Sequence, residues 1–225
     1  MDWYPLWNSL RIAGISCVIV FFLGIYAAHR IATLPRLVKG VLDVLLTLPL
    51  VLPPTVCGWI LLLIFGLTHP VGIFLKNMGI QFVMTWYGGV IASAVVAFPL
   101  MYRTARGAFE SFNENLAWSA RTLGLSKRFI FWRIRLPACK QGIIAGVVLA
   151  FARALGEYGA TSMLIGYIPG NTATISTTVY QLWRTNDEYS AFIWVVINII
   201  ISAIVLLTVN MMEKRARQRR AGGWQ

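Results

Sequence analysis

Residues 118–137, WSARTLGLSKRFIFWRIRLP, decide how the rest of this chain is read. The stretch carries Arg121, Lys127, Arg128, Arg133 and Arg135, with Gly124 and Pro137 as helix breakers, and it lies between two strongly apolar runs. Irregular backbone and a crowd of cations are costly in hydrocarbon, where no water satisfies them. The stretch therefore reads as an aqueous loop of a membrane protein, and the apolar runs beside it as membrane spans.

Composition agrees. The 225 residues are 58% hydrophobic and only 12% charged, against about 25% charged in soluble domains, and mean hydropathy is +0.69. Five apolar runs can be marked, at about 12–28, 41–67, 84–102, 143–166 and 191–212, each near or above the ~17–25 residues a spanning helix needs. The expectation is an all-α polytopic membrane protein, a single domain over residues 1–225, with one long cytoplasmic loop at about 111–137. Arg11, balanced by Asp2, precedes the first run, and no small-residue cleavage site follows it, so this run is read as a retained span.

Basic residues set the orientation, because cytoplasmic segments carry the excess of Lys and Arg. Arg30, Arg36 and Lys39 follow the first run; Arg103, Arg106 and the loop cations through Lys140 follow the third; Lys214, Arg215, Arg217, Arg219 and Arg220 follow the fifth. The alternate loops hold only Lys76 and Arg184. This predicts five spans with the N-terminus outside and the C-terminus in the cytoplasm. The net charge of +12 is accounted for by this topology and by anionic lipid, without a nucleic-acid partner.

Within the loop, Asn113 to Leu123 reads as a short helix, with Asn113 as its cap, Glu114 at the positive end and Arg121 near the negative end. Gly124 supplies a left-handed stop and Ser126 a cap for the next helix. Leu116, Ala120 and Leu123 share one side, with Ala117 and Arg121 on the neighbouring stripe. Periodicity alone fits either an interfacial helix lying on headgroups or a helix that docks a partner.

Two features lie inside the spans. The second run contains Pro49, Pro53 and Pro54 and the third contains Pro99, which bend helices architecturally or line a transport path. The fourth contains Arg153 and Glu157, four residues apart on one helical face. They form either a neutralising structural pair or a charged element of an anion path. Cys17, Cys57 and Cys139 are scattered, and His29 and His69 stand apart near span ends, so no metal site is expected. No cofactor is expected either.

The loop spacing is more specific than its periodicity. Ala120, Gly124 four residues on, Ile134 ten further, then Leu136-Pro137, resembles the EAA loop of ABC importer permeases, although Trp118 and Ser119 stand where that pattern has Glu-Ala. The resemblance implies a type I importer permease fold and a coupling helix, here Leu116, Ala117, Ala120, Arg121, Leu123 and Gly124, that inserts into a groove on a separate ATP-binding subunit. This chain has no Gly-Lys dipeptide and hence no phosphate loop of its own, so it is not expected to be an enzyme.

Five segments in order, LPLVLPPTV, AFPLMYRTARGAFE, ARTLG, FARALGEYGAT and IPGNTATIS, resemble molybdate permeases, with tungstate and sulfate permeases close behind. The outer loop departs, reading Gly170-Asn171-Thr172-Ala173-Thr174 where Gly-Glu-Thr-Arg-Thr is often found. The resemblance implies a homodimer in the cell membrane, two ATP-binding subunits, an extracytoplasmic oxoanion-binding protein, and molybdate or tungstate uptake, with a sulfate-type importer as the alternative. Pro53, Pro54, Pro99, Arg153 and Glu157 are the candidate path residues. A channel or secondary carrier would rely on Glu157 or Asp43, and no inverted repeat is visible; an intramembrane enzyme would need a His, Cys or Asp constellation that the spans lack.

Overall fold

A computed structural model describes residues 2–32 and 34–221; of residues 209, 210 and 212–221 it describes the backbone alone. Among the described residues the regular structure is helical, without strands. Helix α1 (Tyr4–Ala32), α5 (Trp86–Glu110) and the first part of α12 (Glu188–Ala221) are each long and apolar enough to cross a membrane alone. Two bent pairs add up to two further spans: α2 (Arg36–Val51) with α3 (Pro54–Phe65), and a segment built from α7 (Lys127–Ile130), a π-helical turn (Phe131–Arg135) and α8 (Leu136–Ala138) with α9 (Lys140–Leu155). Short helices α4 (Pro70–Asn77), α6 (Glu114–Thr122), α10 (Gly159–Ile165) and α11 (Ile175–Arg184) connect them.

The apolar runs differ from these helices in instructive ways. The run at 41–67 is two helices meeting at 111°, because Pro53 and Pro54 force extended backbone at Leu52 (ψ 141°) and Pro53 (ψ 135°) before Pro54 opens α3. The run at 143–166 is interrupted after α9 at Gly156 to Tyr158 and resumes as α10. Helices α1 and α5 extend beyond the runs at 12–28 and 84–102, the latter as far as Glu110, at the threshold of the loop expected at 111–137. Polar turns there lower hydropathy without ending the helix, and the i,i+4 pair Arg106–Glu110, at 3.0 Å, supports the extension.

The core is a three-helix seam of α1, α5 and α9. Small residues let the backbones approach: a Cβ on Gly146 of α9 would lie 2.2 Å from Thr104 Oγ1 of α5, and one on Gly24 of α1 would lie 2.7 Å from Met101 Cγ. Tyr102, Met101 and Ala105 of α5 are wholly buried in this seam. A second cluster joins α3, α5 and α10 through Cys57, Leu61, Val96, Ala160 and Leu164. Helix α2, by contrast, has no buried residue, and only 11% of the span window in α12 is buried inside the chain.

The contact of α3 with α10 is close because Gly58 faces Ala160: a Cβ there would lie 2.8 Å from the Ala160 Cα and 2.9 Å from its carbonyl oxygen. Gly58→Val is expected to cost about 1–3 kcal/mol by overpacking and to lower the melting temperature of the purified chain in detergent. Gly14→Ala, at a site where an added Cβ meets nothing within 4 Å, is the control. A Gly58→Val protein that melts with wild type would refute the close contact.

Candidate functional site

One end of the bundle gathers the charged side chains of the loops. Asp43 of α2 accepts a hydrogen bond from the Tyr102 hydroxyl and is ion-paired with Arg106. Glu110 binds Lys39 Nζ at 2.8 Å and Arg106 Nε at 3.0 Å. Helices α2 and α5 are thus moored to each other by five groups that the sequence separates by more than fifty residues. The basic residues from Lys214 to Arg220 belong to the last turns of α12, and their side chains lie outside the described residues.

The short helix of the loop is built as its sequence suggests. The Asn113 side chain accepts from Asn115 N at 3.0 Å, Glu114 lies in the first turn and Arg121 in the last. Gly124 adopts φ +77°, with its N–H bonded to the Arg121 carbonyl at 2.9 Å and the Leu125 N–H to the Ala120 carbonyl at 3.2 Å, a closing pattern that satisfies the last carbonyls. Ser126 Oγ accepts from Phe129 N at 3.2 Å and caps α7.

Its faces are divided differently from the expected stripe. Ala117 and Ala120 are 1% and 5% exposed and sit in the main core cluster with Phe109, Phe112 and Ile130. They seat the helix on its own chain and are not available to a partner. Leu116, Trp118 and Leu123 are exposed at 52%, 58% and 78%, and Arg121 and Gly124 are exposed as well. Around the α6 axis Leu116 and Leu123 fall on one flank of the buried alanines, and Trp118, outside the expected set, falls on the opposite flank.

A second tie fixes the helix laterally. Glu114 is ion-paired with Arg135 of the π-helical turn, and the Arg135 guanidinium carbon lies 5.1 Å from the centre of the Phe112 ring. The π turn continues through Leu136 and Pro137 into α8, and α9 follows at 72°.

The candidate path residues do not form one cluster. Pro99 is fully buried inside α5 and lines no surface of this chain, so it is an architectural residue. Pro53 is exposed at the corner, and Pro54 packs on α10, where a Cβ on Gly159 would lie 2.8 Å from Pro54 Cβ. Glu157 is 2% exposed; Oε1 accepts from Ala160 N at 2.6 Å, capping α10, and Oε2 pairs with Arg153 NH1 at 2.5 Å. The Arg153 side chain is 29% exposed. The pair is therefore asymmetric, with a buried carboxylate holding an arginine that reaches the surface. Both carboxylates that a proton- or cation-coupled carrier would need, Asp43 and Glu157, are engaged by cations.

The departing loop at 170–174 is structural. Thr172, Ala173 and Thr174 are buried; Thr174 and Thr177 form a reciprocal capping box at the start of α11. Asn8 Nδ2 donates to the Ala173 carbonyl at 3.0 Å and Ile175 N to Ser9 Oγ at 2.9 Å, pinning the loop to the first turns of α1.

Comparison with known proteins places this arrangement. Residues 20–218 match the family described as binding-protein-dependent transport system inner membrane component. The chain is 39% identical over 220 residues to the molybdenum transport system permease protein of Escherichia coli (strain K12), covering 97% of this chain and 96% of that one. It is 37% identical over 210 residues to the putative molybdenum transport system permease protein of Bacillus subtilis (strain 168), covering 93% and 92%. Its fold resembles that of a bacterial ABC transporter involved in the import of the acidic polysaccharide alginate, with a TM-score of 0.75 over 94% of this chain and 78% of that one at 21% identity. The inward-facing MetNI methionine ABC transporter gives 0.72, with 94% of both chains covered at 14% identity.

Proposed function

Since the chain belongs to the family of binding-protein-dependent transport system inner membrane components, we propose that it is the membrane-spanning permease subunit of an ATP-driven importer of molybdate or tungstate. The observation that carries the reading is similarity to molybdenum permeases over 97% of the chain at 39% identity, together with a capped loop helix that presents Leu116, Trp118 and Leu123 outward. ATP hydrolysis belongs to a separate partner, of which two copies bind the cytoplasmic face. An extracytoplasmic protein selects the oxoanion and delivers it.

Two permease chains enclose the path as a homodimer. Helix α2 without a buried residue and a largely uncovered α12 support this reading, since one chain leaves much of the surface of these elements uncovered. The N-terminus lies outside and the C-terminus in the cytoplasm. The gathering of Lys39, Arg106 and Arg135 with the loop helix at one end of the bundle supports that orientation.

The docking surface on the ATP-binding subunit is Leu116, Trp118, Arg121, Leu123 and the Gly124 turn, with Ala117 and Ala120 holding it in place. When the two ATP-binding subunits close, the paired loop helices are drawn together. The shift passes through the alanine seat to α5 and through Glu114–Arg135 to α9, so the path opens outward; hydrolysis reverses it. Arg153 contributes positive field to the anion path, Glu157 positions it, and Pro53 and Pro54 shape the wall near it.

The test is uptake into vesicles holding the complete system. Tungstate is expected to compete with labelled molybdate near equivalence, and sulfate weakly. Sulfate carried as well as molybdate would remove the narrower assignment and leave only an oxoanion importer.

A further inference from the structure

A groove of about 1290 Å³ opens beside the loop helix, walled by the end of α1, the end of α5, α6, α7 and the π-helical turn. Its floor is aromatic, with Phe109, Phe131 and His29 in mutual ring contact at 4.5 to 6.2 Å. The Nδ1 of His29 is buried there without a hydrogen-bond partner among the described residues.

The rim has the opposite character. Arg121, Lys127 and Arg128 line the groove, are exposed, and make no ion pair with a described residue. The acids beside them are committed elsewhere, Glu110 to Lys39 and Arg106 and Glu114 to Arg135. An anion entering from solvent would meet three cations with no competing carboxylate free.

The groove is also continuous with an apolar strip. Along α1, Ile15, Ile19, Phe22 and Tyr26 share one helical face and are exposed at 39%, 39%, 62% and 61%. Phe22 and Tyr26 enter the groove, and Arg30, one turn on, stacks over Tyr26 at 5.3 Å. A molecule filling both parts needs a long apolar tail for the α1 strip and an anionic head for the rim.

We propose that this groove binds an anionic phospholipid of the cytoplasmic leaflet, its phosphate at Lys127 and Arg128 of α7 and an acyl chain along Phe22 and Ile19. Basic pockets beside spans on the cytoplasmic side suit such headgroups. The proposal rests on the reading above only in naming the leaflet. The lipid wedges between α1 and the loop helix, so it braces the seat of α6 against the bundle.

The probe is phosphatidylglycerol with brominated chains, compared with brominated phosphatidylcholine of the same chains. The readout is quenching of Trp132, a groove-lining residue 61% exposed, taken as the difference between wild type and Trp132→Phe, with the chain alone in vesicles. Quenching is expected at several-fold lower mole fraction of phosphatidylglycerol than of phosphatidylcholine. Lys127→Gln with Arg128→Gln should bring the two lipids together. On the unsubstituted chain, raising ionic strength to about 1 M, where the screening length is about 3 Å, should reduce the preference without any mutation. Equal quenching by both lipids, or a preference that survives the double substitution, overturns the proposal. So does complete protection of Trp132 by the ATP-binding subunit, which would assign the groove to that protein. Because the assay contains no binding protein, ATP or oxoanion, its failure leaves the transport reading untouched.

Discussion

Ala120→Arg is expected to abolish oxoanion-stimulated ATP hydrolysis in the reconstituted complex while leaving the chain in the membrane. Ala120 is 5% exposed in the core cluster beneath α6, and an arginine there cannot be buried without lifting the helix from its seat. Coupling free energies between sites run at about 1–3 kcal/mol, or about 5–150-fold, so stimulation should fall toward the unstimulated rate. Gly124→Val tests the same element from its other end. Its φ of +77° costs a side-chain-bearing residue about 1–2 kcal/mol and no neighbour is crowded, so the loss there reflects backbone redirection. Full stimulation with either variant would show that α6 does not carry the coupling.

Glu157→Ala is expected to be the most destabilising single change in the membrane portion. It removes the partner of Arg153 and the acceptor of Ala160 N together, and breaking a buried pair from one side costs about 3–5 kcal/mol. With Arg153 29% exposed, the lower end applies. Glu157→Gln keeps an oxygen for Ala160 and should be milder, and Arg153→Met with Glu157→Gln should recover the melting temperature. Uptake per assembled complex should nevertheless stay low in the double variant, because Arg153 supplies field to the anion. Uptake that returns along with stability would leave the pair a purely structural one.

Local rules carried the loop helix. Asn113, Gly124 and Ser126 act through side chains and dihedrals within a few residues of themselves, so their caps and stop could be read directly. Which face of that helix would be buried could not, because Ala117 and Ala120 are buried in a cluster that also holds Phe109 and Ile130, and that cluster depends on how distant helices meet. The break at Gly156 to Tyr158 was invisible for another reason: hydropathy averages over a window, and one glutamate among alanines, glycines and leucines does not interrupt an apolar run. Proline density announced a bend in the second run but not its 111°. The Asp43–Tyr102–Arg106 cluster and the Glu114–Arg135 tie join residues far apart in the chain, where periodicity carries no information.

The corner between α2 and α3 has a mechanical meaning. Proline locks its own φ near −65°, and Pro53 (φ −54°) followed by Pro54 removes two successive backbone rotations at the bend. One arm is lashed to α5 by Lys39 and Asp43, the other wedged against α10 at Gly58. Such an L-shaped piece has the build of a welded bracket, not of a joint. In the transport cycle proposed above, opening and closing would then come from whole brackets swinging against one another, and stiffness at this corner would set how faithfully a small push at the loop-helix end is delivered to the far side of the membrane.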